Sequence, residues 1–404
     1  MSKKNFKPQA GFPEIINASE YYKLENICKK WAEEIGASPI LLPLVEQKEL
    51  YNRSIGEGTD VVDKEMLSIN NNKEELVLRP EGTAGAIRAW NNQGGRNIGA
   101  QKWYYSGYMF RNERPQAGRF KQFQQFGMEI IGSKEGIADI ELLVDLDRLF
   151  ERLNIRDYLT LKINNIGTIE ERKSYEKYFI EWIMPFKDQL DKTSQERIIK
   201  NPLRILDSKD EATKNIILNA PKIIDFLSQE SLEKWKKMIT ILEKMEISFE
   251  IDYSLMRGLD YYNGLVFEWV MTDENKAQNA VAAGGRYDGL SKSIDGEDTP
   301  ALGFALGIER VLLLTKKETN NERKGIYICW AGDVEDLVLK VKKQMIQEDF
   351  VMVDEGFKNI TKQIKKANEK MFSKLIVIGE NEKNNKQIKI KNLANGLEKS
   401  LKII

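Results

Sequence analysis

Apolar residues follow two different periods along the first part of the chain. Between residues 18 and 35 they recur at helical spacing, which predicts an amphipathic helix carrying Tyr21, Leu24, Ile27, Trp31 and Ile35. Asn17 and Glu20 have the spacing of a capping box at the start of this helix, and Gly36 ends it. The apolar run PILLPLVE comes next and predicts a short strand that is interrupted by Pro43.

Two β runs, WYYSGYMF and FQQFGMEIIG, flank a charged loop and predict a long hairpin. Alternation along the second run places Gln125, Gly127 and Glu129 on one face, while the other face packs through Phe126, Met128 and Ile130. Glycine weakens a strand and is favoured where another group approaches the backbone closely. We therefore interpret the polar face as the one that faces a ligand.

The remainder of the first 320 residues alternates between helical and β patterns. The strand LVLR opens residues 76–90 and leads through PEGTAG into a helix. Residues 170–248 lack β runs and are rich in Lys, Glu, Leu and Ile, which indicates a helical insertion. Strand patterns return at residues 265–271 and again at ALGF, which runs into the helical pattern LGIERVLLL.

A polar linker at residues 316–325 precedes a different pattern. The segments IYICW, FVMV and KLIVIG alternate with helical patterns over residues 333–347 and 359–371. This order predicts a separate small α/β domain with a largely parallel sheet.

Composition indicates a globular protein, with 41% hydrophobic and 31% charged residues. No apolar run approaches the length of a membrane span, and no apolar region follows the basic N-terminus. The two cysteines, Cys28 and Cys329, lie far apart and suggest no disulfide framework, so we expect a reducing cytoplasm and no membrane partner.

Charge is unevenly distributed although the formal net charge is zero. From residue 321 onward the chain has 17 Lys and Arg against 12 Asp and Glu, which makes this part +5 and the first 320 residues −5. A basic domain beside an acidic one is consistent with a polyanionic partner, and equally with an ordinary lysine-rich surface.

The chain contains no histidine. Ser-His-Asp and Cys-His pairs, an H-E-x-x-H zinc site and a histidine general base are therefore excluded. The spacing of a Walker phosphate loop occurs at residues 94–100 with Ala100 in place of its lysine, and G-x-G-x-x-G is absent. A bound nucleotide would have to be held by arginines on a sheet, since their planar forks suit phosphates and carboxylates.

Three further clusters combine glycine with charged or aromatic residues. MRGLDYYNGLVFEW contains Arg257 and two tyrosines, although an ordinary turn with packed tyrosines would explain it as well. Gly284 and Gly285 in AAGGRYDGL permit close passage of a ligand or another strand, or form a β-turn. Arg310 lies in the first turn of a predicted helix, where a cation opposes the helix dipole and anion binding offers a purpose.

These motifs together resemble the class II aminoacyl-tRNA synthetases. The helix and strand ending at Pro43 resemble motif 1, residues 110–113 in the hairpin resemble motif 2, and residues 307–310 resemble motif 3. LRPEGTAG, RGLDYYNGLVFEW and AAGGRYDGL resemble the histidyl-tRNA synthetases of the bacterial type, and NPLRILDSKD is similar to the insertion domain of that family. The resemblance covers nearly the whole chain.

The fold implied by this resemblance is an α+β class II catalytic domain over residues 1–320, in which helices flank an antiparallel sheet. It includes the helical insertion at about residues 170–248 and is followed by an α/β anticodon-binding domain over residues 321–404. The implied reaction is ATP-dependent formation of histidyl-adenylate from L-histidine, followed by transfer to the 3' end of tRNA(His), with Mg2+ accompanying ATP.

Arginines carry the phosphate-binding roles that the resemblance implies. Arg111 would hold the ATP α-phosphate and the substrate carboxylate, and Arg310 the γ-phosphate. Arg257 would stabilise the charge that develops as the carboxylate attacks, while Glu113 and Arg119 would position ATP. Such charge stabilisation needs no proton carrier, which suits a chain without histidine.

The resemblance also implies binding residues for the amino acid and for tRNA. Glu81, Thr83 and Gln125 would bind the α-amino group of histidine; the imidazole would be recognised by Glu129 and Tyr262, and the set of histidine-binding residues also includes Arg257 and Tyr261. The tRNA contacts would be Gln116 at the loop tip and Lys362, Lys365 and Lys366 in the C-terminal domain. The motif 1 region would form a homodimer. Metal ligands are not identified.

Three positions depart from the family pattern. Asn112 and Gln124 stand where the family has histidine, and Ala10 replaces an arginine. Alternation places Gln124 on the packing side of its strand, so we expect the chemistry to survive that change. Two other functions remain open: a regulatory subunit of ATP phosphoribosyltransferase, which resembles these synthetases, and an RNA-binding protein that has lost adenylation. The presence of Arg257 and the basic tail favours the enzyme.

Overall fold

The computed structural model describes residues 7–16, 18–56, 59–69, 74–208, 210–256, 259–272, 280–315, 323–356 and 359–403. The chain divides into two compact units, Met1–Lys316 and Lys317–Ile404. The predicted boundary at residue 320 lies within 316–322, outside the described residues, and stays a prediction.

Mixed helices and strands build the first unit. In chain order they are α1 (Ser19–Glu34), β1 (Ser38–Pro39), β2 (Val45–Gln47), α2 (Lys48–Ile55), β3 (Leu67–Ile69), β4 (Leu76–Leu78), α3 (Thr83–Asn92), β5 (Gln101–Phe110), β6 (Gln122–Ile131), α4 (Ile137–Arg152), β7 (Leu159–Asn165), α5 (Ile169–Ile183), α6 (Lys192–Lys200), α7 (Glu211–Ile217), α8 (Gln229–Lys244), β8 (Phe249–Ile251), β9 (Asn263–Met271), β10 (Ala280–Arg286), α9 (Leu290–Ser293), β11 (Ala301–Gly307) and α10 (Ile308–Leu312). The described part of the predicted insertion is helical, which confirms that prediction.

An eight-stranded sheet organises this unit, with the order β1-β5-β6-β11-β10-β9-β7-β8. Its inner pairs are antiparallel, and only the edge pairs β1–β5 and β7–β8 are parallel. The predicted hairpin is confirmed as β5 and β6, two strands of ten residues each. Because β6 and β11 are antiparallel, the beginning of β6 lies beside the end of β11. The motif-bearing loops at these two positions therefore come together on the sheet.

The two faces of the sheet have different neighbours. One face packs against α1, α4 and α8 through a cluster that includes Trp31, Phe126, Phe304 and Trp235. The rings of Trp31 and Phe304 meet edge to face with their centroids 5.9 Å apart. The predicted alternation on β6 is therefore correct, since Phe126, Met128 and Ile130 fill this core and the residues between them face the opposite side.

The strand predicted over PILLPLVE is wrong in extent. Only Ser38–Pro39 and Val45–Gln47 are strands, and they belong to different sheets. Proline has no amide donor for a ladder, so Pro39 and Pro43 limit pairing of the intervening segment. Leu41, between them, is 93% exposed. The capping box predicted for α1 involves Asn17, which lies outside the described residues.

The second unit contains β12 (Ile326–Trp330), α11 (Glu335–Met345), β13 (Val351–Val353), α12 (Ile360–Glu369), β14 (Lys374–Ile378), α13 (Glu380–Asn385), β15 (Gln387–Asn392) and β16 (Glu398–Lys402). The predicted α/β order holds through β14, and β12 pairs in parallel with β13 and β14. The prediction of a largely parallel sheet is wrong beyond that point, because β15 and β16 form an antiparallel hairpin.

Candidate active site

A cavity of about 250 Å³ opens on the sheet face opposite α1, and polar and charged side chains line most of it. Their contacts divide them into two groups. The carboxylate side consists of Glu81, Thr83, Tyr105, Gln125, Tyr261 and Tyr262, and the arginine side consists of Arg111, Glu113, Arg119 and Arg310. Nine of the predicted site residues thus line one cavity, and Tyr105 joins them.

Glu81 is a buried carboxylate at the start of α3. It accepts backbone N–H bonds from Thr83 at 2.6 Å and Ala84 at 2.9 Å, which satisfies donors at the N-terminus of that helix. Burial raises the pKa of Glu81, while these two bonds and the charge of Arg111 oppose the increase. A side chain so placed offers negative charge to a cationic ligand in the cavity.

Glu129 lies behind the carboxylate side and is fully buried. Its Oε1 accepts hydrogen bonds from the hydroxyls of Thr83 at 2.8 Å and Tyr105 at 2.9 Å, and its Oε2 accepts one from Tyr287. Burial raises the pKa of Glu129 from 4.5 to about 8, against the effect of these hydroxyl donors. The sequence places Glu129 correctly on the site face, but in this structure it holds the lining residues rather than forming the surface.

Two glycines admit the Tyr105 ring. Tyr105 on β5 stands directly opposite Gly127 on β6, and a Cβ at Gly127 or at Gly82 would overlap the ring. The interpretation that Gly127 accommodates a close approach is correct, and the approaching group is a tyrosine of the same chain. Its ring fills the space where a strand side chain would otherwise stand, which fixes the hydroxyl beside Glu129.

Gln125 presents an amide to the cavity from β6. Its Oε1 is buried and has no hydrogen-bond partner within the described ranges, which is a costly arrangement unless a ligand donates to it. The neighbouring residue holds the strand in place, because the Gln124 backbone N–H donates to the Glu309 carboxylate at 2.9 Å. Glu309 is itself buried, and burial raises its pKa.

Tyrosine rings form one edge of the cavity. The Tyr261 and Tyr262 centroids are 4.6 Å apart, and the Tyr261 and Tyr287 centroids are 5.5 Å apart. Burial raises the pKa of Tyr261 and Tyr287 well above that of a free phenol, so both hydroxyls remain protonated donors. The simpler interpretation of RGLDYY expected packed tyrosines, and Tyr261 and Tyr262 do pack together. The same two tyrosines also line the cavity.

The arginine side brings three guanidinium groups together. Arg111 donates from Nε to the Pro80 carbonyl at 2.9 Å, and its guanidinium carbon lies 5.4 Å from the centre of the Phe123 ring. Arg119 pairs with Glu113, and Arg310 donates to the Ala280 carbonyl. Both arrangements hold a planar donor group at the cavity wall.

Burial and repulsion among these arginines lower the pKa of Arg119. Burial lowers the pKa of the Arg119 guanidinium, and the positive charges of Arg310 and Arg111 lower it further, against the effect of Glu65. Mutual repulsion among partly buried cations is relieved when an anion binds between them. The arginine side is therefore suited to a polyanion.

Two predicted site residues of the first unit, Arg257 and Gln116, need separate comment. Arg257 and the neighbouring Gly258 lie outside the described residues, so the predicted role of Arg257 stays a prediction. Gln116 is exposed in a tight turn, where its backbone exchanges hydrogen bonds with Arg119 at 2.9 and 3.0 Å. An exposed loop tip leaves the predicted tRNA contact sterically open.

The two positions where the family has histidine have different surroundings. Gln124 donates from Nε2 to the Ser106 hydroxyl at 3.3 Å on the face opposite the cavity residues. Asn112 is exposed and accepts a hydrogen bond from Lys121 at 2.7 Å. Neither side chain lines the cavity.

The predicted lysines of the second unit differ in exposure along α12. Lys362 and Lys365 are exposed, and Lys365 lies 3.8 Å from Glu369. Lys366 is half-buried and pairs with Asp354 at 3.4 Å, so it is less available to a phosphate than the sequence suggests. Lys362 is the best placed of the three.

Sequence reasoning missed Tyr105, Tyr287 and Glu309. Tyr105 could have been found from two glycines, Gly82 and Gly127, that share one aromatic neighbour. Tyr287 follows Arg286, and that arginine forms a buried ion pair with Asp139 at 2.8 Å, so this motif serves the core as well as the site.

The described ranges have neither a cluster of metal-ligating side chains nor a membrane-spanning helix. They contain no group of three or more Cys, Asp or Glu residues positioned to hold a metal ion. Within the same ranges, every helix is too short or too polar to span a bilayer.

Comparison with known proteins gives concordant matches. A family model described as histidyl-tRNA synthetase matches residues 16–177 and 185–311, and a model described as an anticodon binding domain matches residues 311–403. The structure of histidyl-tRNA synthetase from S. aureus is 28% identical, with a TM-score of 0.80, over 98% of this chain and 97% of that one.

Two more distant structures share the fold. Histidyl-tRNA synthetase from Nostoc sp. PCC 7120 is 19% identical with a TM-score of 0.68, over 99% of this chain and 97% of that one. A Bacillus halodurans C protein titled ATP phosphoribosyltransferase regulatory subunit/histidyl-tRNA synthetase is 16% identical with a TM-score of 0.66, over 93% and 98%. Because one family model accounts for well over half of the chain, the chain belongs to the histidyl-tRNA synthetase family.

Proposed function

We propose that this protein is a histidine–tRNA ligase, which activates L-histidine with ATP and transfers the histidyl group to the 3' end of tRNA(His). The observation that supports this most is the continuity of the cavity, in which the carboxylate side meets the arginine side. An amino acid and a polyphosphate need these two chemistries side by side.

The first step joins two substrates within that cavity. The α-carboxylate of histidine attacks the α-phosphorus of ATP, the bond to the β-phosphate oxygen breaks, and pyrophosphate leaves. Arg111 is proposed to bind the α-phosphate and the carboxylate, and Arg310 the γ-phosphate, while Glu113 and Arg119 position the nucleotide. Fixed guanidinium groups stabilise developing negative charge without reorganising during the reaction.

The carboxylate side is proposed to select the amino acid. Glu81 and the unpartnered Oε1 of Gln125 suit an α-ammonium group, with Thr83 beside them. Tyr261 and Tyr262 would contact the side chain, and Glu129 would support recognition of the imidazole from behind Thr83 and Tyr105. A ligand that lacks matching donors would leave buried acceptors unsatisfied, which penalises the wrong amino acid.

The second step uses tRNA. The 3'-terminal ribose hydroxyl attacks the carbonyl carbon of histidyl-adenylate, and AMP leaves with the bonding electron pair. Gln116 is proposed to approach the acceptor end, while Lys362 contributes to phosphate binding in the second unit.

Magnesium is proposed to enter as the ATP complex. The described residues contain no resident cluster of three possible metal ligands, so the ion would be held chiefly by ATP phosphates, with Glu113 and Glu309 as nearby carboxylates. The chain's own contribution is then to orient the phosphate groups.

We further propose a cytoplasmic homodimer. The segment between β1 and β2 exposes Leu41 at 93% and Leu44 at 45%, and Ile16 near the start of α1 is 83% exposed. Apolar side chains grouped in the motif 1 region are consistent with burial against a second copy.

Histidine-dependent exchange between ATP and labelled pyrophosphate tests the proposal. Purified protein should catalyse exchange with histidine and not with other amino acids. An absence of exchange would overturn the enzyme proposal; tRNA binding without exchange would then favour an RNA-binding protein, and loss of both would favour the regulatory-subunit function.

A further inference from the structure

The tyrosine edge of the cavity, residues 259–262, is held from outside the catalytic sheet. It lies between β8 and β9, and Tyr261 and Tyr262 from it line the cavity. Its backbone and side-chain contacts reach into the helical insertion, which supplies Arg172 on α5 and Asn201 just after α6. Neither residue lines the main cavity.

Arg172 binds two backbone carbonyls of this edge through a single nitrogen. Its Nη1 donates to the Asp260 carbonyl at 3.0 Å and to the Tyr262 carbonyl at 2.7 Å. These two carbonyls bracket Tyr261. The bonds therefore limit rotation of the backbone that carries both tyrosine rings.

Asn201 holds the same edge through a side chain. Its Nδ2 lies 2.8 Å from Asp260 Oδ1 and 2.9 Å from Oδ2, while the Asp260 backbone N–H donates to the Ile55 carbonyl at 3.0 Å. Burial raises the pKa of Asp260, and the bond from Asn201 opposes the increase. The amide thus favours the ionised form of this carboxyl group.

A second contact joins the insertion to the catalytic body nearby. Arg197 on α6 pairs with Asp60 at 3.2 Å, next to a short π-helix, Val61–Glu65. A small cavity of about 140 Å³ separates α5 and α6 from the tyrosine edge, and Arg172, Asn201 and Asp260 are among its lining residues. The edge also shares an apolar cluster with the insertion, since Tyr262 belongs to the same buried group as Tyr175 and Leu203. The polar bonds from Arg172 and Asn201 add a directional hold to this packing.

We propose that Asn201 and Arg172 are positioning residues for amino-acid recognition, through which the helical insertion sets the orientation of Tyr261 and Tyr262. This inference rests on the proposed function. Recognition of a side chain requires that its contacting rings keep their place to within a fraction of an ångström. The nucleotide is bound at the arginine side, which makes none of these contacts.

The test measures how Asn201→Ala divides its effect between the two substrates of pyrophosphate exchange. Loss of a hydrogen bond to a charged group should raise KM for histidine ~10-fold, while KM for ATP changes less than ~2-fold. Asn215→Ala, at an exposed asparagine on α7 of the same insertion, is the matched control and should leave both constants unchanged. Thermal unfolding of each variant reports on folding.

Exchanging the two side chains distinguishes a direct contact from general disturbance. Asn201→Asp alone places two carboxylates opposite each other and should raise KM for histidine at least as far as the alanine variant. Combining it with Asp260→Asn restores one amide opposite one carboxylate, and KM for histidine should return to within ~3-fold of the parent value. Arg172→Lys, which keeps the charge but loses the planar fork, should raise the same constant ~3-fold and serves as well if Asn201→Ala does not fold.

The outcomes separate two failures. If the parent protein shows no histidine-dependent exchange, the proposed function fails and this inference fails with it. If the parent is active and Asn201→Ala and Arg172→Lys match the control in KM for histidine, only the inference is overturned. Parallel changes in both KM values, or a reduced rate with both KM values unchanged, would assign these residues a purely structural role and also overturn it.

Discussion

The two sides of the cavity achieve their geometry by opposite means. On the carboxylate side, Glu129 accepts hydrogen bonds from the hydroxyls of Thr83, Tyr105 and Tyr287. Most polar groups on this side therefore have partners before any ligand binds. On the arginine side, cations such as Arg119 lie near other cations, and burial together with this repulsion lowers its pKa.

This difference separates selectivity from charge stabilisation. A network whose members satisfy one another is rigid and rejects ligands that do not complete it. A group of like charges is incomplete by itself and gains stability from whatever polyanion enters. Variants on the two sides should therefore differ in which kinetic constant changes.

Arg111→Ala should have the largest effect. Removal of one fixed guanidinium should lower kcat/KM for pyrophosphate exchange ~10²- to 10³-fold, because charge stabilisation in the transition state is lost. Arg114→Ala, at an exposed arginine of the same loop, is the control for this tRNA-independent assay. A loss of less than ~5-fold at Arg111 would contradict the assignment of the arginine side.

On the carboxylate side, Glu129→Gln should mainly lower the free energy of unfolding. Three hydroxyls form hydrogen bonds to this buried carboxyl group, and the amide nitrogen of Gln cannot accept as a carboxyl oxygen does, so the free energy of unfolding at pH 5 should fall by ~3 kcal/mol. Denaturant titration measures it, with the exposed Glu243→Gln as control.

The same variant carries a pH signature. The pKa of Glu129 is raised in the folded protein to about 8, so its stabilising contribution is complete below its ordinary value and is lost as the pH rises towards 8. The stability difference between the parent and Glu129→Gln should therefore shrink from pH 5 to pH 8. A difference that stays constant over this range would refute the raised pKa.

Gln125→Met should raise KM for histidine and leave KM for ATP unchanged. Loss of the buried Oε1 acceptor removes a hydrogen bond to a charged group, which should raise KM for histidine ~20-fold. Gln122→Met, on the same strand but on its opposite face, should change KM for histidine little. Equal increases for both substrates would remove the distinction between the two sides.

Phe123→Leu should give the smallest change. The Arg111 guanidinium carbon lies 5.4 Å from the centre of this ring, and such a contact contributes ~0.5–1 kcal/mol at a partly exposed site. KM for ATP should rise ~3-fold, with KM for histidine unchanged. Isothermal titration with a non-hydrolysable ATP analogue would confirm that binding accounts for the change.

Long, regular patterns made much of this fold predictable. The helix α1 and the hairpin β5–β6 have clear periods of apolar residues, and the faces of β6 followed directly from alternation. The hairpin β15–β16 was missed because its strands are lysine-rich; in β15 only Ile388 and Ile390 are buried. A weak apolar pattern of that kind does not distinguish a strand from a polar loop.

The candidate site was predictable where motifs carry it and not where tertiary contacts do. Gln125 and Arg310 occupy recognisable segments, and both line the cavity. Tyr105 has no motif of its own; its place depends on glycines at positions 82 and 127, which meet only in the folded chain. The supporting bonds from Asn201 similarly join residues that are 59 positions apart.

The buried Glu129 offers an unusual spectroscopic opportunity. Since the chain contains no histidine, an untagged sample contributes no imidazole resonance, and a bound histidine labelled with nitrogen-15 would be the sole source of one. Its ring shifts, followed on either side of pH 8, would register ionisation of the carboxylate behind Thr83 and Tyr105. The proposed substrate would then serve as an NMR reporter on the protein that binds it.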